Sequence, residues 1–156
     1  MKQEDIMDIN DVIAQERSLV FNKFTSDLAL NITNEINKFV KEKYNDPVAI
    51  KIYYEGKEIL KFLMEGRKKS PWLERKNTTV LESEHSSLFV YFKRNENDYQ
   101  SWAEDETYAI CGGGFPIKIS GKVKGAISVS GLDHLSDHQV IVEVLKKILH
   151  KESIEE

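Results

Sequence analysis

Trp72, Arg75 and Lys76 place an aromatic ring and two cations within about one helical turn of each other. Residues at i, i+3 and i+4 lie on the same face of a helix, so in a helix over this segment the three side chains would form one surface. A guanidinium binds carboxylate or phosphate through paired donors, while an ammonium acts as a point charge. The spacing therefore favours a small-anion site. The structural alternative is that Trp72 packs in the core and the cations pair with Glu74, Glu82 or backbone carbonyls.

A second candidate is the glycine run Gly112 to Gly114, which directly precedes Phe115 and a predicted strand. Consecutive glycines are typical of positive φ or close backbone approach, and exposed amides in such a loop can hold an anion. No Gly-Lys-Ser/Thr follows, and a strand rather than a helix comes next, which excludes both common nucleotide-binding loops. The sequence therefore favours a sharp turn that leads Phe115 into the sheet. Anion binding at Gly113 and Gly114 is the alternative.

Cys111, His134 and His138 are the remaining side chains that could act as a nucleophile or a metal ligand. A lone cysteine is usually a small buried hydrophobe, and a nucleophilic one needs a nearby cation or imidazole to lower its pKa. The last helix is predicted to begin at a capping box of Ser136 and Gln139, so His134 and His138 would not share a metal-binding face. His138, near a helix N-terminus, would be neutral and able to coordinate iron. These residues assign neither a catalytic group nor a metal site.

Composition limits the class of protein. The chain has 156 residues, 40% hydrophobic and 31% charged, which is typical of one globular domain. No apolar run approaches the roughly 20 residues of a membrane span, and the acidic N-terminus lacks the apolar core of a secretion signal. A net charge of -4 argues against nucleic-acid binding. The single cysteine excludes an internal disulfide framework. We expect a cytoplasmic protein without nucleic-acid or membrane partners.

The hydrophobic pattern predicts the element order α, α, β, β, α, α, β, β, α. Strands joined by tight turns pair antiparallel, and helices grouped around them indicate a single α+β domain. We divide the chain into an N-terminal helical segment (1–17), a domain (18–150) and a frayed charged tail (151–156). The predicted helices are 4–16, 25–45, 72–82, 86–94 and one from 136, and the predicted strands are 48–54, 58–64, 115–119 and 123–130.

Several motifs in combination resemble the haem-degrading-domain family, the GlcG/HbpS-like group, and in particular its small single-domain branch. The motifs are Trp72-Leu73-Glu74-Arg75-Lys76, Ser86-Ser87, Gly112-Gly113-Gly114-Phe115-Pro116-Ile117, Gly125-x-x-x-Val129-Ser130-Gly131-Leu132 and Asp137-His138. The resemblance covers residues 18–150. It implies a profilin-like three-layer α/β/α sandwich around a five-stranded antiparallel sheet, assembled into homo-oligomers. The segment from Ser18 to Phe21 would supply the fifth strand.

The resemblance also implies where a ligand would bind. Carried over by position, the ligand-binding candidates are Trp72, Arg75, Lys76, Gly113, Gly114, Phe115 and His138. Some relatives bind haem, so haem is the cofactor that the resemblance allows, while others accompany glycolate or corrinoid metabolism. Members of this branch often have a histidine just before the glycine pair, where this chain has Cys111. Haem ligation there would pass to a thiolate or be lost.

Two functional hypotheses follow. The first is an oligomeric protein that binds a small anionic ligand or a tetrapyrrole between the Trp72 helix and the glycine loop. The second is a non-catalytic oligomeric interaction or adaptor protein, in which Trp72, Tyr99, Trp102 and Tyr108 build a subunit interface, because aromatic residues are favoured interface anchors. An enzyme, for example in haem degradation, ranks third, since no carboxylate pair, triad or metal cluster supports it.

Overall fold

The secondary structure follows the predicted order of elements. A computed structural model describes the backbone of residues 7–155 and the side chains of residues 7–150. No helix in this part of the chain is long and apolar enough to cross a bilayer. The elements are α1 (Ile9–Ser18), α2 (Ser26–Lys43), β1 (Ala49–Tyr54), β2 (Lys57–Leu63), α3 (Trp72–Ser83), α4 (Ser87–Phe92), a short 3-10 turn (Trp102–Glu104), β3 (Gly114–Ile119), β4 (Lys122–Ser130) and α5 (His134–Glu155).

The outer segments of the predicted division lie partly outside the described residues. Residues 1–6 of the N-terminal segment are not described, and α1 occupies the rest of it through Ser18. The predicted tail 151–156 continues the backbone of α5 as far as Glu155, while its side chains lie outside the described residues. The domain between these segments contains all four strands that the structure describes.

Local capping hydrogen bonds mark several helix starts. Thr25 Oγ1 accepts a hydrogen bond from Leu28 N at 3.0 Å and so begins α2. At the start of α3, Pro71 takes the N-cap position without a side-chain cap, and Ser70 Oγ accepts from Trp72 N at 3.2 Å from just outside the helix. Ser86 Oγ accepts from the backbone amide of residue 89 at 3.1 Å and begins α4. Each cap supplies an acceptor for an amide that has no partner inside its own helix.

The predicted start of α5 is wrong by two residues. Asp133, rather than Ser136, caps this helix, because its carboxylate accepts from Ser136 N at 3.0 Å and from Ser136 Oγ at 2.8 Å. The Gln139 amide donates to Glu143 at 2.7 Å. α5 therefore begins at His134, and His134 lies one turn before His138 in the same helix. The prediction that the two histidines would not share a helical face is wrong for the same reason.

The sheet has four strands in the order β2-β1-β4-β3, all antiparallel. The expected fifth strand is reduced to a single parallel bridge between Phe21 and Ile119, where Phe21 N donates to Lys118 O at 2.9 Å. α1 extends through Ser18, the first residue of the expected strand, and Thr25 caps α2, so pairing with the sheet is confined to Phe21. The α+β class with an antiparallel sheet is confirmed, and the count of five strands is wrong.

Helices cover both faces of the sheet. The ring of Phe115 faces α5, whereas a Cβ on the preceding Gly114 would contact Val80 of α3. Successive strand residues point to opposite faces, so α2 and α5 cover one face and α3 covers the other. The main core lies on the α2–α5 face and includes Ile32, Ile36, Ile50, Ile52, Phe115, Ile117, Ile127, Val129, Ile141 and Leu145.

Candidate functional site

Lys76 lies inside the protein, at the point where α3, β4 and α5 meet. Its Nζ donates to Val129 O at 2.8 Å and to Asp137 Oδ2 at 3.1 Å, and both charged residues are only 2% exposed. Arg75, the preceding residue, points outward, since consecutive positions in an α-helix diverge by about 100° at 3.6 residues per turn. The predicted common surface is therefore divided, with Arg75 on the outer face of α3 and Lys76 on the face packed against the sheet.

Asp137 connects this ion pair to the turn before α5. Its second carboxylate oxygen accepts from Leu132 N at 3.0 Å. Burial raises the pKa of Asp137, while the Lys76 ammonium and the Leu132 amide offset part of that rise by stabilising the charged form. The pair thus joins α3 to α5, and most of the hydrogen-bonding capacity of the ammonium and the carboxylate is used within the protein. The main role of Lys76 in this position is therefore structural.

The glycine run is packed against this ion pair. Gly113 has φ +122°, and a Cβ there would lie 2.5 Å from both Lys76 Nζ and Val129 O. Gly112 N donates to His134 Nδ1 at 3.0 Å. Gly114 N donates to Ser87 Oγ at 2.9 Å. Two of the three loop amides are therefore satisfied by the protein's own side chains, which favours the sharp-turn interpretation of this loop.

Arg75 and Trp72 form the exposed part of the candidate site. The Arg75 guanidinium lies 4.1 Å from the centre of the Trp72 ring, and its Nε donates to Tyr108 O at 2.8 Å. Trp72 is 40% exposed, so its packing in the core, the structural alternative, is not observed. Arg75 forms no ion pair within residues 7–150, because Glu74 pairs with Lys61 at 2.8 Å and with Lys51 at 3.5 Å.

An aromatic loop holds the carbonyl that anchors Arg75. The Trp102 and Tyr108 rings stack at 3.9 Å, and Tyr99 approaches Trp102 edge-on at 5.0 Å. The Tyr108 hydroxyl donates to Glu82, and this hydrogen bond raises the pKa of Tyr108 to about 12. The helical turn in this loop spans Trp102–Glu104. No sequence signal relates this loop to Arg75.

His138 is fully buried beneath α1. Its Nε2 donates to Gln15 Oε1 at 2.7 Å, and its Nδ1 has no hydrogen-bond partner among the described residues. Burial lowers the pKa of His138 to about 3, with a smaller contribution from nearby His134. The imidazole is therefore neutral at physiological pH, as the sequence predicts. Its neutrality comes mainly from burial, whereas the sequence argument invoked the helix dipole.

A buried carboxylate in α1 has no counterpart in the sequence-based candidates. Glu16 is 4% exposed and accepts from Ser86 N at 3.0 Å, from Ser86 Oγ at 2.9 Å and from His85 Nδ1 at 2.8 Å. Both buried residues of α1, Val12 and Glu16, face the domain. The i, i+4 spacing of these two residues is the signal that could have found Glu16, but an acidic residue at the second position is usually solvated.

Cys111 is half-buried, and burial raises the pKa of its thiol despite the nearby Lys76. A thiol with a raised pKa is protonated at neutral pH, which disfavours both a nucleophilic role and thiolate ligation of iron. Within the described residues, no three His, Cys, Asp or Glu side chains are grouped as a metal site would require. The residues that remain for ligand contact are therefore polar and aromatic.

The fold places the chain in a known structural class. It superposes on the crystal structure of the Ybr137w protein with a TM-score of 0.84, at 24% identity, over 94% of this chain and 90% of that one. It superposes on the crystal structure of a PduOC:Heme complex with a TM-score of 0.66, at 17% identity, over 81% of this chain and 94% of that one. Similarity at this level of identity defines the fold.

Sequence similarity identifies the family. A UPF0303 protein of Streptomyces coelicolor is 32% identical over 142 residues, covering 86% of this chain and 89% of the relative. The family model described as haem degrading protein HbpS-like matches residues 24–146. The chain therefore belongs to the HbpS-like haem-degrading protein family, and the predicted resemblance is confirmed.

Proposed function

We propose that the protein binds a carboxylate-bearing ligand, with haem as the leading candidate, at the outer surface of α3 formed by Trp72 and Arg75. The observation that carries the proposal is the position of the Arg75 guanidinium. It is stacked on an exposed indole, is held through Nε, and forms no ion pair within residues 7–150. Asp105 lies near enough for the Arg75 charge to add to the lowering of its pKa, which comes first from hydrogen bonds with Thr107. Such a cation is pre-positioned to pair with a carboxylate, and the indole offers a flat apolar face beside it.

The macrocycle and the propionates of haem are complementary to this surface. Its macrocycle can stack on Trp72, and a propionate can accept paired hydrogen bonds from the free donors of Arg75. The family and the haem complex of a structural relative support this choice of ligand. The iron finds no ligand there, because Cys111 carries a protonated thiol and His138 is covered by Gln15. The fit is therefore to the ring and its carboxylates.

Three of the other predicted ligand-binding residues support this surface from within. Lys76 and Gly113 fasten α3 to β4 and α5, and the Gly114 amide binds Ser87 at the start of α4. Phe115 and His138 are buried on the opposite face of the sheet. In this proposal Lys76, Gly113 and Gly114 position α3, Trp72 and Arg75 contact the ligand, and Phe115 and His138 have no direct role in the site.

The experiment is a titration of the purified protein with haem, followed by the Soret band and by quenching of tryptophan fluorescence. We expect Arg75→Ala and Trp72→Ala to weaken binding about tenfold or more, as for a charge-assisted hydrogen bond of about 1.5–3 kcal/mol. Arg94→Ala is the matched control, because Arg94 also stacks on a ring, that of Tyr91, at 4.1 Å. Equal affinity in the Arg75 and Arg94 variants would reject the site. Melting shifts with citrate or phosphate, lost in Arg75→Ala, would indicate a smaller anion.

Self-association without chemistry is the second candidate. Leu63 at the end of the edge strand β2 is 41% exposed, and Phe62 is 38% exposed, in addition to Trp72. A register shift opposite Ile52 and Tyr53 disrupts β2, which disfavours strand-to-strand pairing at this edge. An interface here would therefore be formed by side chains. Sedimentation velocity decides: Trp72→Ala should dissociate an oligomeric parent, whereas Leu30→Ala on the exposed face of α2 should not.

A further inference from the structure

Helix α1 is attached to the domain through two consecutive polar residues. Gln15 Oε1 accepts from His138 of α5 at 2.7 Å. Glu16 binds Ser86, the capping residue of α4, through both its amide and its hydroxyl, and also binds His85. α1 thus lies across the start of α4 and the first turns of α5. These two elements also meet through the Tyr91 and His134 rings, whose centres are 4.8 Å apart.

Apolar burial supplies only part of this attachment. Within the ten residues of α1, Val12 is the one fully buried apolar residue, Ile9 and Ile13 are half-buried, and Leu19 follows directly after the helix. Helices shorter than about 12–15 residues are marginal on their own in water, so α1 depends on its docking contacts. Among the described residues, the main hydrophobic cluster begins at Leu19 and includes no residue of α1. The helix therefore packs beside that cluster and is not part of it.

The groups beneath α1 are unusual for a core. Ser86 is fully buried, and its amide and hydroxyl both donate to Glu16. His138 is fully buried with one ring nitrogen on Gln15 and the other without a partner among the described residues. Polar groups of this kind lose little when exposed to water, because water replaces the hydrogen bonds that α1 supplies. Release of α1 is thus less costly than release of an apolar helix.

We infer that α1 is a detachable strap, which docks on α4 and α5 through Glu16 and Gln15 and opens as a unit to expose His138 and Ser86. The charged and titratable groups that face this contact are His85, Glu16 and His138, with His134 one turn from His138. Opening separates Glu16 from His85 and leaves α2, the sheet and α5 folded. The inference does not rest on ligand binding at Trp72 and Arg75.

Native-state hydrogen exchange of the full chain, read by mass spectrometry, tests the strap. We expect amides of residues 12–19 to exchange through a local opening, before those of α2 and the middle of α5. Glu16→Ala and Glu16→Gln should accelerate exchange in 12–19 roughly tenfold, the scale of losing hydrogen bonds whose net contribution is modest because water replaces them. Arg17→Ala, at an exposed neighbouring position, is the control and should leave exchange unchanged.

Chemical modification of His138 supplies a second measurement. Diethyl pyrocarbonate should modify His138 slowly in the parent and much faster in Glu16→Gln and Gln15→Ala, with His150, which is exposed, as internal reference. The inference is overturned if segment 12–19 opens only together with α2 and α5, or if His138 stays protected when α1 exchanges freely. Should Glu16→Ala fail to fold, the parent's exchange in sub-denaturing urea decides the same question.

Discussion

The ammonium of Lys76 occupies the space that a side chain on Gly113 would need. An ideal Cβ at Gly113 would lie 2.5 Å from Lys76 Nζ, and the same atom would lie 2.5 Å from Val129 O, the acceptor of the Lys76 hydrogen bond. The glycine run and the cation on α3 are therefore two parts of one contact. This relationship explains why the loop needs glycine at this position, and it makes the loop a structural element of the site.

Replacing Gly113 should destabilise the protein strongly. Gly113→Ala combines a φ of +122° with a clash against backbone and an internal ammonium, and we expect a loss of about 2–4 kcal/mol in the free energy of unfolding. Gly121→Ala is the matched control, since Gly121 also has positive φ, at +78°, but open space at its Cβ. Urea unfolding measures both. A loss at Gly113 no larger than at Gly121 would contradict the packing argument.

Removing one residue of the buried ion pair should lower the free energy of unfolding more than removing one residue of an exposed ion pair. Lys76→Met leaves the Asp137 carboxylate buried without its cation, and we expect a loss of about 3–5 kcal/mol. Lys61→Met breaks a pair with Glu74 that is partly open to solvent, and a loss below about 1 kcal/mol is expected. Combining Lys76→Met with Asp137→Asn in a double-mutant cycle should recover part of the loss. Strict additivity would show that the two groups do not interact.

His138 makes the protein sensitive to acid. Its pKa is about 3 in the folded protein and near 6.5 when unfolded, so below pH 6.5 the unfolded state binds a proton that the folded state does not. The stabilisation that this group contributes is complete above pH 6.5. Below that pH the free energy of unfolding falls by about 1.4 kcal/mol per pH unit, so the loss is about 2 kcal/mol at pH 5. The His138→Gln variant should show a flatter dependence between pH 7 and 5. His150→Gln should not differ from the parent.

One tyrosine should titrate late. The hydrogen bond to Glu82 raises the pKa of Tyr108 to about 12, because ionisation would place a phenolate against a carboxylate. Glu82→Gln should return this pKa toward 10, as measured by phenolate absorbance during alkaline titration. Glu104→Gln, an exposed acid of the same loop, is the control. An unchanged titration in Glu82→Gln would show that the hydrogen bond to Glu82 does not raise the pKa of Tyr108.

Local patterns in the sequence predict much of the fold. Thr25 and Ser86 cap α2 and α4 because a side-chain oxygen can reach an amide three residues ahead without help from the rest of the chain. The hairpin turns contain Gly56 and Gly121, whose positive φ is intrinsic to tight turns. Competition between neighbouring caps is harder to resolve. Asp133 displaced Ser136 at the start of α5 because its carboxylate accepts from both the amide and the hydroxyl of Ser136.

The sequence by itself determined the α+β class, the two hairpins, the caps of α2 and α4 and the family, because these depend on neighbouring residues and on motifs. Only the tertiary structure decided that Arg75 faces outward while Lys76 faces inward. Consecutive residues of a helix point in different directions around its axis, and the packing of the helix selects which of them is covered. Contacts distant in sequence, such as Gln15 with His138 and Glu16 with Ser86, leave no local pattern. They exist because the closed fold removes these groups from water and requires each polar atom to find a partner.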